Sequence, residues 1–519
     1  MRHLICLTLL IALVGCKTEP KAPETESLAK RENPFNERFR PQYHFTPPTH
    51  WMNDPNGLVY HNGTYHLFYQ YYPEDIVWGP MHWGHATSTD LVDWEHQAVA
   101  LFPDELGYIF SGSAVMDIQN TSGLGTEDKP AMVAFYTYHD AEGEKEGRND
   151  FQTQGMAFSL DEGETWTKYE GNPVIGNPDN IRDFRDPKVF WHEASKRWVL
   201  VLVAGDHAKI YTSPNLKDWT YQSDFGKDQG AHGGVWECPD LFELEIGETR
   251  EKKWVLLISI NPGAPNGGSG TQYFVGDFDG KKFTSTQTEP KWIDYGTDNY
   301  AGVTYNNMPE NERIFIGWMS NWNYAQKTPT QVWRSAMTLS RKLSLHKAAD
   351  YYLKSIPVDA LNNYTELAEK RATVRSGDRI TEASWNDKKL SFTIPGTLTD
   401  FKVVFSNVLG ESVCIAYDAE AQQFLLDRTH SGLTDFEPRF ADQVHEGPFI
   451  AATDQPTTLT LYLDRSSLEL FVNEGELVMT EQLFPTQPYT ELLFESPDQV
   501  LTNFKYATVK SIWTNNQNQ

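Results

Sequence analysis

Apolar runs rich in β-branched and aromatic residues recur through the first two thirds of the chain, and polar, turn-forming segments separate them. A shorter run of the same character precedes each long run, and a turn with an aromatic residue follows most of them. The five long runs cover residues 65–71, 131–138, 198–203, 254–260 and 313–319. Five similar units of several strands each predict a five-bladed β-propeller. A large irregular β-sandwich is the alternative, and the fivefold order favours the propeller.

Residues beyond about 350 contain more charges and turns, and their short runs alternate apolar and polar positions. The alternation is clear in 390–394, 401–405, 457–463 and 467–472, and it is typical of half-buried strands. Several such strands at short spacing predict a β-sandwich. We therefore expect an all-β chain with a propeller over 38–345, a connector over 346–370 and a sandwich over 371–519.

The N-terminus has the pattern of an export signal. A short basic start precedes an apolar run, residues 4–14, which is too short to span a bilayer. The sequence Leu-Val-Gly-Cys at 13–16 is typical of a bacterial lipobox, so residues 1–16 are predicted to be a lipoprotein signal peptide ending at an acylated Cys16. Residues 17–37 then form a flexible tether. An ordinary secretory signal with an incidental Cys16 is the alternative.

Position 17 and the overall charge bear on location and partners. Lys17 rather than Asp follows the cysteine, which predicts sorting to the outer membrane of a Gram-negative bacterium. The 519 residues include 71 acidic and 44 basic side chains, for a formal net charge of -27. This charge argues against nucleic acid and anionic lipid and favours a neutral ligand, so membrane contact is expected only through the lipid anchor. The oligomeric state stays open.

Three acidic motifs stand at the start of apolar runs in three different units. They place Asp54, Asp186 and Glu237 before strand-like segments. Because the first strand of each propeller blade lines the central channel, we expect these carboxylates to converge at one mouth of that channel. Unpaired buried carboxylates are costly, so a fold that gathers three of them has a task for them. Splitting a glycosidic bond needs two carboxyl groups in different protonation states.

Two other interpretations of these polar residues are weaker. Asp-Pro and Asp-Pro-Asn-Gly are also turn sequences, although turn chemistry does not account for three acidic motifs at equivalent repeat positions. His82, His85 and His232 could suggest a metal, but no further ligand stands at a suitable spacing, so no metal site and no cofactor are predicted. Cys238, beside Glu237, is expected to be a buried packing thiol.

Several motifs together resemble glycoside hydrolase family 32, the group of invertases, exo-inulinases and levanases. They are Trp-Met-Asn-Asp-Pro-Asn-Gly at 51–57, Phe-Tyr-Gln-Tyr at 68–71, the run 78–85, Phe-Ser-Gly-Ser at 110–113, Phe-Arg-Asp-Pro-Lys-Val at 184–189, Trp-Glu-Cys-Pro-Asp at 236–240, the run 317–322 and, in the expected sandwich, the run 464–471. The resemblance covers nearly everything after about residue 38. It implies a five-bladed propeller followed by a β-sandwich, in agreement with the apolar pattern.

The resemblance also implies residue roles. Asp54 would be the nucleophile that attacks C2 of a fructosyl unit, Glu237 the general acid and then base, and Asp186 the stabiliser of the transition state, with retention of configuration at C2. The residues that would bind the terminal fructose are Trp51, Asn53, Gln70, Trp78, Phe110, Ser111, Arg185 and Trp318. Asn299 departs from the family's pattern, where an aromatic residue is expected, and this puts subsite preference in doubt.

The expected activity is exo-acting hydrolysis of terminal β-D-fructofuranosyl units from the fructans levan and inulin and from sucrose. A sucrose-restricted invertase and an endo-levanase are the nearest alternatives. An inverting arabinan or xylan hydrolase would use the same three carboxylates at a wider separation. A non-catalytic surface glycan-binding lipoprotein is the alternative outside enzymes, and the intact set of carboxylates argues against it.

Overall fold

The computed structural model describes residues 35–126, 128–309 and 312–513. The expected signal peptide, its Cys16 and the tether up to residue 34 lie outside these ranges. Strands dominate the described residues. A single α-helical turn, Ala141–Lys145, and the 3₁₀ helices Ala325–Lys327, Asp359–Tyr364 and Pro438–Phe440 occur between them. None of the helices in the described ranges is long and apolar enough to cross a membrane.

Five antiparallel sheets follow one another along the chain and confirm the predicted blades. The first strands of successive blades contact each other in a closed ring, which is the arrangement of a propeller. The strands are His50–His61, Thr64–Tyr72, His82–Ser88 and Glu95–His96 in blade one; Tyr108–Asp117, Ala131–His139, Gln152–Ser159 and Thr167–Lys168 in blade two; Phe184–His192, Arg197–Ala204, Ala208–Ser213 and Thr220–Phe225 in blade three; Val235–Glu245, Lys252–Asn261, Gly270–Phe278, Phe283–Thr284 and Lys291–Trp292 in blade four; and Tyr300–Thr304, Ile314–Met319, Ala336–Met337, Arg341–Lys347 and Tyr351–Pro357 in blade five.

The ring is closed between the fifth and first blades by the chain that leaves blade five. Its short strand Trp333–Arg334 pairs in parallel with the start of His50–His61, and the His50 amide donates to the Val332 carbonyl at 2.8 Å. Blade one thus holds strands from both ends of the propeller sequence, which ties those ends together.

Each of the five first strands contains a β-bulge at the same level of the channel. Two residues of the first strand face one residue of its neighbour at 53–54, 110–111, 186–187, 238–239 and 301–302. The sequence had indicated that the acidic motifs precede the first strands. The structure shows that they lie inside these strands. A bulge residue needs no partner in the ladder, so Pro187 and Pro239 are tolerated there.

The C-terminal region is a β-sandwich of two six-stranded sheets, as predicted. One sheet contains Thr365–Val374, Leu501–Val509, Lys388–Ile394, Thr457–Asp464, Ser467–Val472 and Leu477–Gln482, and the other contains Arg379–Thr381, Glu491–Glu495, Phe401–Ser406, Ser412–Asp418, Gln423–His430 and His445–Pro448. Their facing apolar side chains form one continuous core.

The connector is shorter than the expected 346–370. Tyr351–Pro357 pairs with Arg341–Lys347 as the outer strand of blade five, and Thr365–Val374 already belongs to the sandwich. Only the 3₁₀ helix Asp359–Tyr364 and its flanking residues join the two domains. The sequence concealed the outer strand because Leu353 and Ser355 are its only buried side chains, so its apolar signal is weak.

Candidate active site

The bulges bring the three predicted carboxylates to the same end of the channel. The Cys238 thiol lies between two of them, with its Sγ 3.6 Å from Asp54 Oδ2 and 3.7 Å from Asp186 Oδ2. Glu237 precedes Cys238 in the same strand. The thiol is buried, and burial raises the pKa of Cys238 well above its usual range, which leaves it a neutral packing group.

Two donors orient the carboxylate of Asp54. The Ser111 hydroxyl donates to Oδ2 at 2.6 Å, and the Asn53 amide donates to Oδ1 at 2.9 Å. Burial raises the pKa of Asp54, the charge of Glu237 adds to this effect, and the two hydrogen bonds oppose it. Asn53 is itself fixed by the Trp51 indole N–H, which donates to its Oδ1 at 2.7 Å. The arrangement holds one carboxylate in a defined orientation.

Glu237 is held by two donors from neighbouring blades. Arg185 Nη2 donates to its Oε1 at 2.8 Å, and the Tyr300 hydroxyl donates to its Oε2. Arg185 is anchored in turn by Asp183, whose Oδ1 accepts from Nη1 at 2.6 Å. The Glu237 side chain remains 20% exposed, so a ligand can reach it. Burial raises the pKa of Tyr300 well above its usual range, so its hydroxyl stays a donor.

Asp186 is the most enclosed of the three carboxylates, with 5% of its side chain exposed. Its backbone has a positive φ of 62°, and its Oδ2 accepts the Cys238 amide at 2.9 Å. Burial raises the pKa of Asp186 to about 7; the charges of Glu237 and Asp54 act in the same direction, and Arg185 opposes them. Asp186 therefore keeps its proton close to neutral pH.

The aromatic residues lie on two sides of the carboxylates. Trp51 and Trp318 are fully buried, and both pack against the partly exposed Trp322, with ring centres 5.9 and 4.9 Å away. Trp318 Nε1 has no hydrogen-bond partner among the described residues. Trp51 and Trp318 therefore pack beneath Trp322, and Trp322 is the tryptophan of the three whose ring is accessible to a ligand.

Trp78 and Phe110 form the other side. Both rings are partly exposed, and they meet edge to face with centres 6.0 Å apart. Phe110 also stacks on His139 at 4.3 Å. Gln70 is buried, and its amide nitrogen donates to Asn56 Oδ1 at 2.9 Å and to the Ile109 carbonyl at 3.0 Å, which binds blade one to blade two under the site.

Asn299, where the family's pattern has an aromatic residue, has a buried side chain. Its amide donates to Asp294 Oδ2 at 3.1 Å, and its Oδ1 would be 2.1 Å from a Cβ placed on Gly317. The next residue, Tyr300, contacts Glu237. Tyr300 was not among the predicted site residues because an aromatic residue beside a strand start is usually core, and only its hydrogen bond to Glu237 distinguishes it.

The histidines considered as metal ligands lie apart and have other partners. His82 Nδ1 contacts the Pro80 carbonyl at 2.9 Å, His85 pairs with His66 at 3.1 Å, and His232 lies 3.2 Å from Asp206. Within the described ranges, no group of three or more histidine, cysteine or acidic side chains is placed to hold a metal ion.

Comparison with known proteins agrees with this geometry. The sequence model "Glycosyl hydrolases family 32 N-terminal domain" matches residues 44–357, and the corresponding C-terminal model matches 358–511. A levanase of Bacillus subtilis is 47% identical over 87% of this chain and 67% of its own length, and an extracellular exo-inulinase of Aspergillus awamori is 42% identical over 87% and 90%.

Solved structures give the same result. The crystal structure of the Aspergillus awamori exo-inulinase superposes with a TM-score of 0.84 at 38% identity, covering 92% of this chain and all of the other. A β-fructofuranosidase from Schwanniomyces occidentalis, complexed with fructosyl-erythritol, has a TM-score of 0.82 at 32% identity and covers 92% and 98%. With both of its domains matched, the chain belongs to glycoside hydrolase family 32.

Proposed function

We propose that the protein hydrolyses terminal β-D-fructofuranosyl units from fructans and from sucrose by a retaining double displacement. The observation that carries this proposal is the pairing of an oriented carboxylate, Asp54, with a second carboxyl group, Glu237, that is held by Arg185 and Tyr300 at the same channel end. Relatives named levanase and exo-inulinase support the substrate class.

In the first step, Asp54 attacks C2 of the terminal fructose. The bond from C2 to the bridging oxygen breaks, and Glu237 gives its proton to that oxygen, so the shortened chain leaves as an alcohol. The donors Ser111 and Asn53 keep the attacking oxygens aligned. The product of this step is a fructosyl ester of Asp54.

Asp186 would hold ring hydroxyls of the terminal fructose and stabilise the positive charge that develops at C2. Burial raises the pKa of Asp186 to about 7. Fructose hydroxyls that donate to Asp186 would favour its ionised form, which is the form that stabilises this charge.

In the second step, Glu237 takes a proton from water, and the resulting hydroxide attacks C2 and releases Asp54 as a carboxylate. Arg185, 2.8 Å from Glu237, and Tyr300 hold the Glu237 carboxyl group in place for this step. Two inversions at C2 give net retention.

The relatives favour exo over endo action. Both the sequence and the fold of this chain are similar to those of the Aspergillus awamori protein named exo-inulinase. The terminal fructosyl unit is therefore the proposed point of attack.

Product analysis tests the proposal. The purified protein is incubated with sucrose, inulin and levan, and early products are separated by chromatography, with the Asp54→Ala variant as control. Free fructose as the sole early product from the fructans is the expected result. Released oligosaccharides would instead indicate endo action, cleavage of sucrose alone would indicate an invertase, and no cleavage of any of the three would overturn the proposal.

We also propose that a lipid on Cys16 holds the enzyme at the outer membrane, where the tether lets the propeller reach large fructans. The lipobox sequence at 13–16 and Lys17 support this. A lipoprotein anchor with several acyl chains gives firm retention. Cell fractionation tests it: the wild type should pellet with membranes and Cys16→Ser should not. If both forms are recovered in the soluble fraction, the segment is a plain secretion signal.

A further inference from the structure

A second, much larger cavity lies at the opposite end of the propeller channel. Its volume is about 990 Å³, within the range of ligand pockets. The far ends of the first strands of blades two to four border it, through Val115, Phe190 and Leu241, and the residues that follow the first strand of blade five complete it. It faces away from the carboxylates.

Two buried side chains close the channel between this cavity and the catalytic end. Lys188 donates through Nζ to Asp240 Oδ2 at 3.1 Å and to the Thr304 carbonyl at 2.6 Å. Asn306 donates through Nδ2 to the carbonyls of Ala114 at 2.8 Å and Val189 at 2.9 Å. These bonds link blades two to five across the axis, so the large cavity is not an extension of the catalytic pocket.

The cavity contains a cation that lacks a hydrogen-bond partner in the described part of the chain. Arg313 lines the cavity and is partly exposed, and its guanidinium donates no hydrogen bond to the described residues. The guanidinium lies 5.5 Å from the ring centre of Phe242. A largely buried donor without a partner is costly unless a ligand or water accepts from it.

Aromatic rings form another wall. Phe190, Trp191 and Trp254 are each partly exposed and line the cavity, and the rings of Phe190 and Trp254 are 5.7 Å apart. Trp191 is fixed by its indole N–H, which donates to Glu193 Oε2 at 2.8 Å. Rigid aromatic faces next to the Arg313 donor suit a sugar ring, which has an apolar face and a polar edge.

The charges of the cavity nearly cancel. Its rim carries four glutamates and two lysines: Glu193, Glu243, Glu245, Glu312, Lys252 and Lys342. Lys252 pairs with Glu243 at 2.7 Å, Lys342 pairs with Glu312 at 2.5 Å, and Glu193 pairs with Lys196 outside the rim. Glu245 is then balanced by Arg313, so a neutral polyhydroxylated ligand fits the cavity.

We propose that this cavity is a second carbohydrate-binding site, which holds a neutral sugar chain by stacking on Trp191 and by hydrogen bonds to Arg313. The choice of fructan as its ligand rests on the proposed function. A fructan bound here keeps further chain ends close to the enzyme, and this raises their effective concentration at the catalytic end.

Calorimetric titration of an inulin-type tetrasaccharide into the inactive Asp54→Ala protein tests the proposal. We expect two binding sites. Adding Arg313→Met, which keeps the aliphatic stem, or Trp191→Ala, on another wall, should leave one site. Tyr221→Ala is the matched control, because this aromatic residue is 48% exposed on the outer strand of blade three, and it should leave both sites intact. A single site in Asp54→Ala, or two sites in both cavity variants, would overturn the proposal.

A kinetic comparison separates this proposal from the proposed function. With Asp54 intact, Arg313→Met and Trp191→Ala should hydrolyse sucrose at the wild-type rate, which also reports correct folding, while KM for polymeric fructan rises by about tenfold. Unchanged KM values for the polymer in both variants would count against a second site. If the wild type hydrolysed no fructan but the titration still showed an Arg313-dependent site, the proposed function would fail and the second site would stand.

Discussion

Two sets of buried charges in this molecule follow opposite rules. At the boundary between propeller and sandwich, Arg341 of blade five contacts Asp294 at 2.9 Å and Glu469 of the sandwich at 2.6 Å, with all three side chains at most 1% exposed. At the catalytic end, Arg185 contacts Asp183 at 2.6 Å, Glu237 at 2.8 Å and Asp186 at 3.9 Å, and Asp54 has no basic partner among the described residues. Both carboxylates of the boundary set thus contact a guanidinium, whereas one carboxylate of the catalytic set contacts none.

The pKa values reflect this difference. Burial would raise the pKa of Glu469, but Arg341 and His44 outweigh it and hold this pKa at about 2. Burial raises the pKa of Asp186 to about 7, and Arg185 does not outweigh it. The basic partners of a structural carboxylate therefore lower its pKa. At the catalytic end, the neighbouring carboxylates repel each other and the pKa of Asp186 stays raised, so this group can take up or release a proton near neutral pH.

Removing the catalytic carboxylates gives the largest expected effect. Asp54→Ala and Glu237→Ala should each lower kcat by several orders of magnitude, because nucleophile and acid act as a unit. Thermal unfolding should remain cooperative in both variants, since neither residue carries a matched structural pair. Glu237→Ala should retain more activity on a fructoside whose leaving group needs no proton. Equal losses on both substrates would argue against Glu237 as the acid.

Removing the cation of the boundary set should have the converse effect. Arg341→Met leaves Glu469 and Asp294 buried with an uncompensated charge and should cost about 3–5 kcal/mol in the free energy of unfolding. Urea denaturation measures this, and kcat per folded molecule should not change. Lys145→Met, which breaks the exposed pair with Glu142, is the control and should leave stability unchanged. A stable Arg341→Met protein with reduced kcat would refute the separation of the two sets.

The sequence identified the catalytic set and missed the boundary set for a physical reason. Asp54, Asp186 and Glu237 stand in short local motifs within a repeat, so their convergence follows from the geometry of a propeller. Asp294 and Glu469 are far apart in sequence, and nothing near either residue indicates its partner. Their pairing depends on how the two domains pack, which local patterns do not encode.

The presence of the five blades was predictable from the sequence, but the bounds of their first strands and the positions of the bulges were not. The long apolar runs of the second strands match the observed strands to within a few residues. The first strands extend back through the acidic motifs because β-bulges accommodate proline and residues with a positive φ. In the sequence, the same residues are typical of turns. Tyr300 was not predictable as a site residue because its contact with Glu237 depends on the side-chain direction next to the bulge at 301–302, which the apolar pattern does not show.

The unmatched charge of the catalytic set should reduce stability at high pH. An Asp with an unfolded pKa of about 3.9 and a folded value of about 7 binds its proton more tightly in the folded state, so stability is lost as pH rises through this window. Asp186→Asn should remove this loss and gain roughly 1–3 kcal/mol at pH 8, with no gain at pH 4. Urea denaturation at pH 4, 6 and 8 measures it. A gain that is the same at all three pH values would point to packing instead of charge.

The boundary set should show the same kind of linkage from a buried cation. His44 lies 2.8 Å from Asp464 and 3.0 Å from Glu469; burial lowers its pKa, but these hydrogen-bonded carboxylates outweigh burial and raise it to about 9. A raised histidine pKa stabilises the fold fully below its unfolded pKa of about 6.5, and this contribution disappears as pH rises through 9.

The free energy of unfolding of the wild type should therefore fall by up to roughly 3 kcal/mol between pH 6.5 and 9 as His44 loses its proton. The fall is smaller to the extent that the charge of the neighbouring Arg341 still stabilises Glu469. In His44→Gln, which keeps a polar side chain of similar size without the titration, stability should fall less over the same window. Asp186→Asn combined with His44→Gln should flatten the dependence of the free energy of unfolding on pH from 4 to 9. The two effects should add because Asp186 and His44 lie in different regions of the molecule. A double variant with the wild-type slope between pH 6.5 and 9 would show that the buried imidazole is neutral, and Asp464 and Glu469 would then lie against an uncharged histidine.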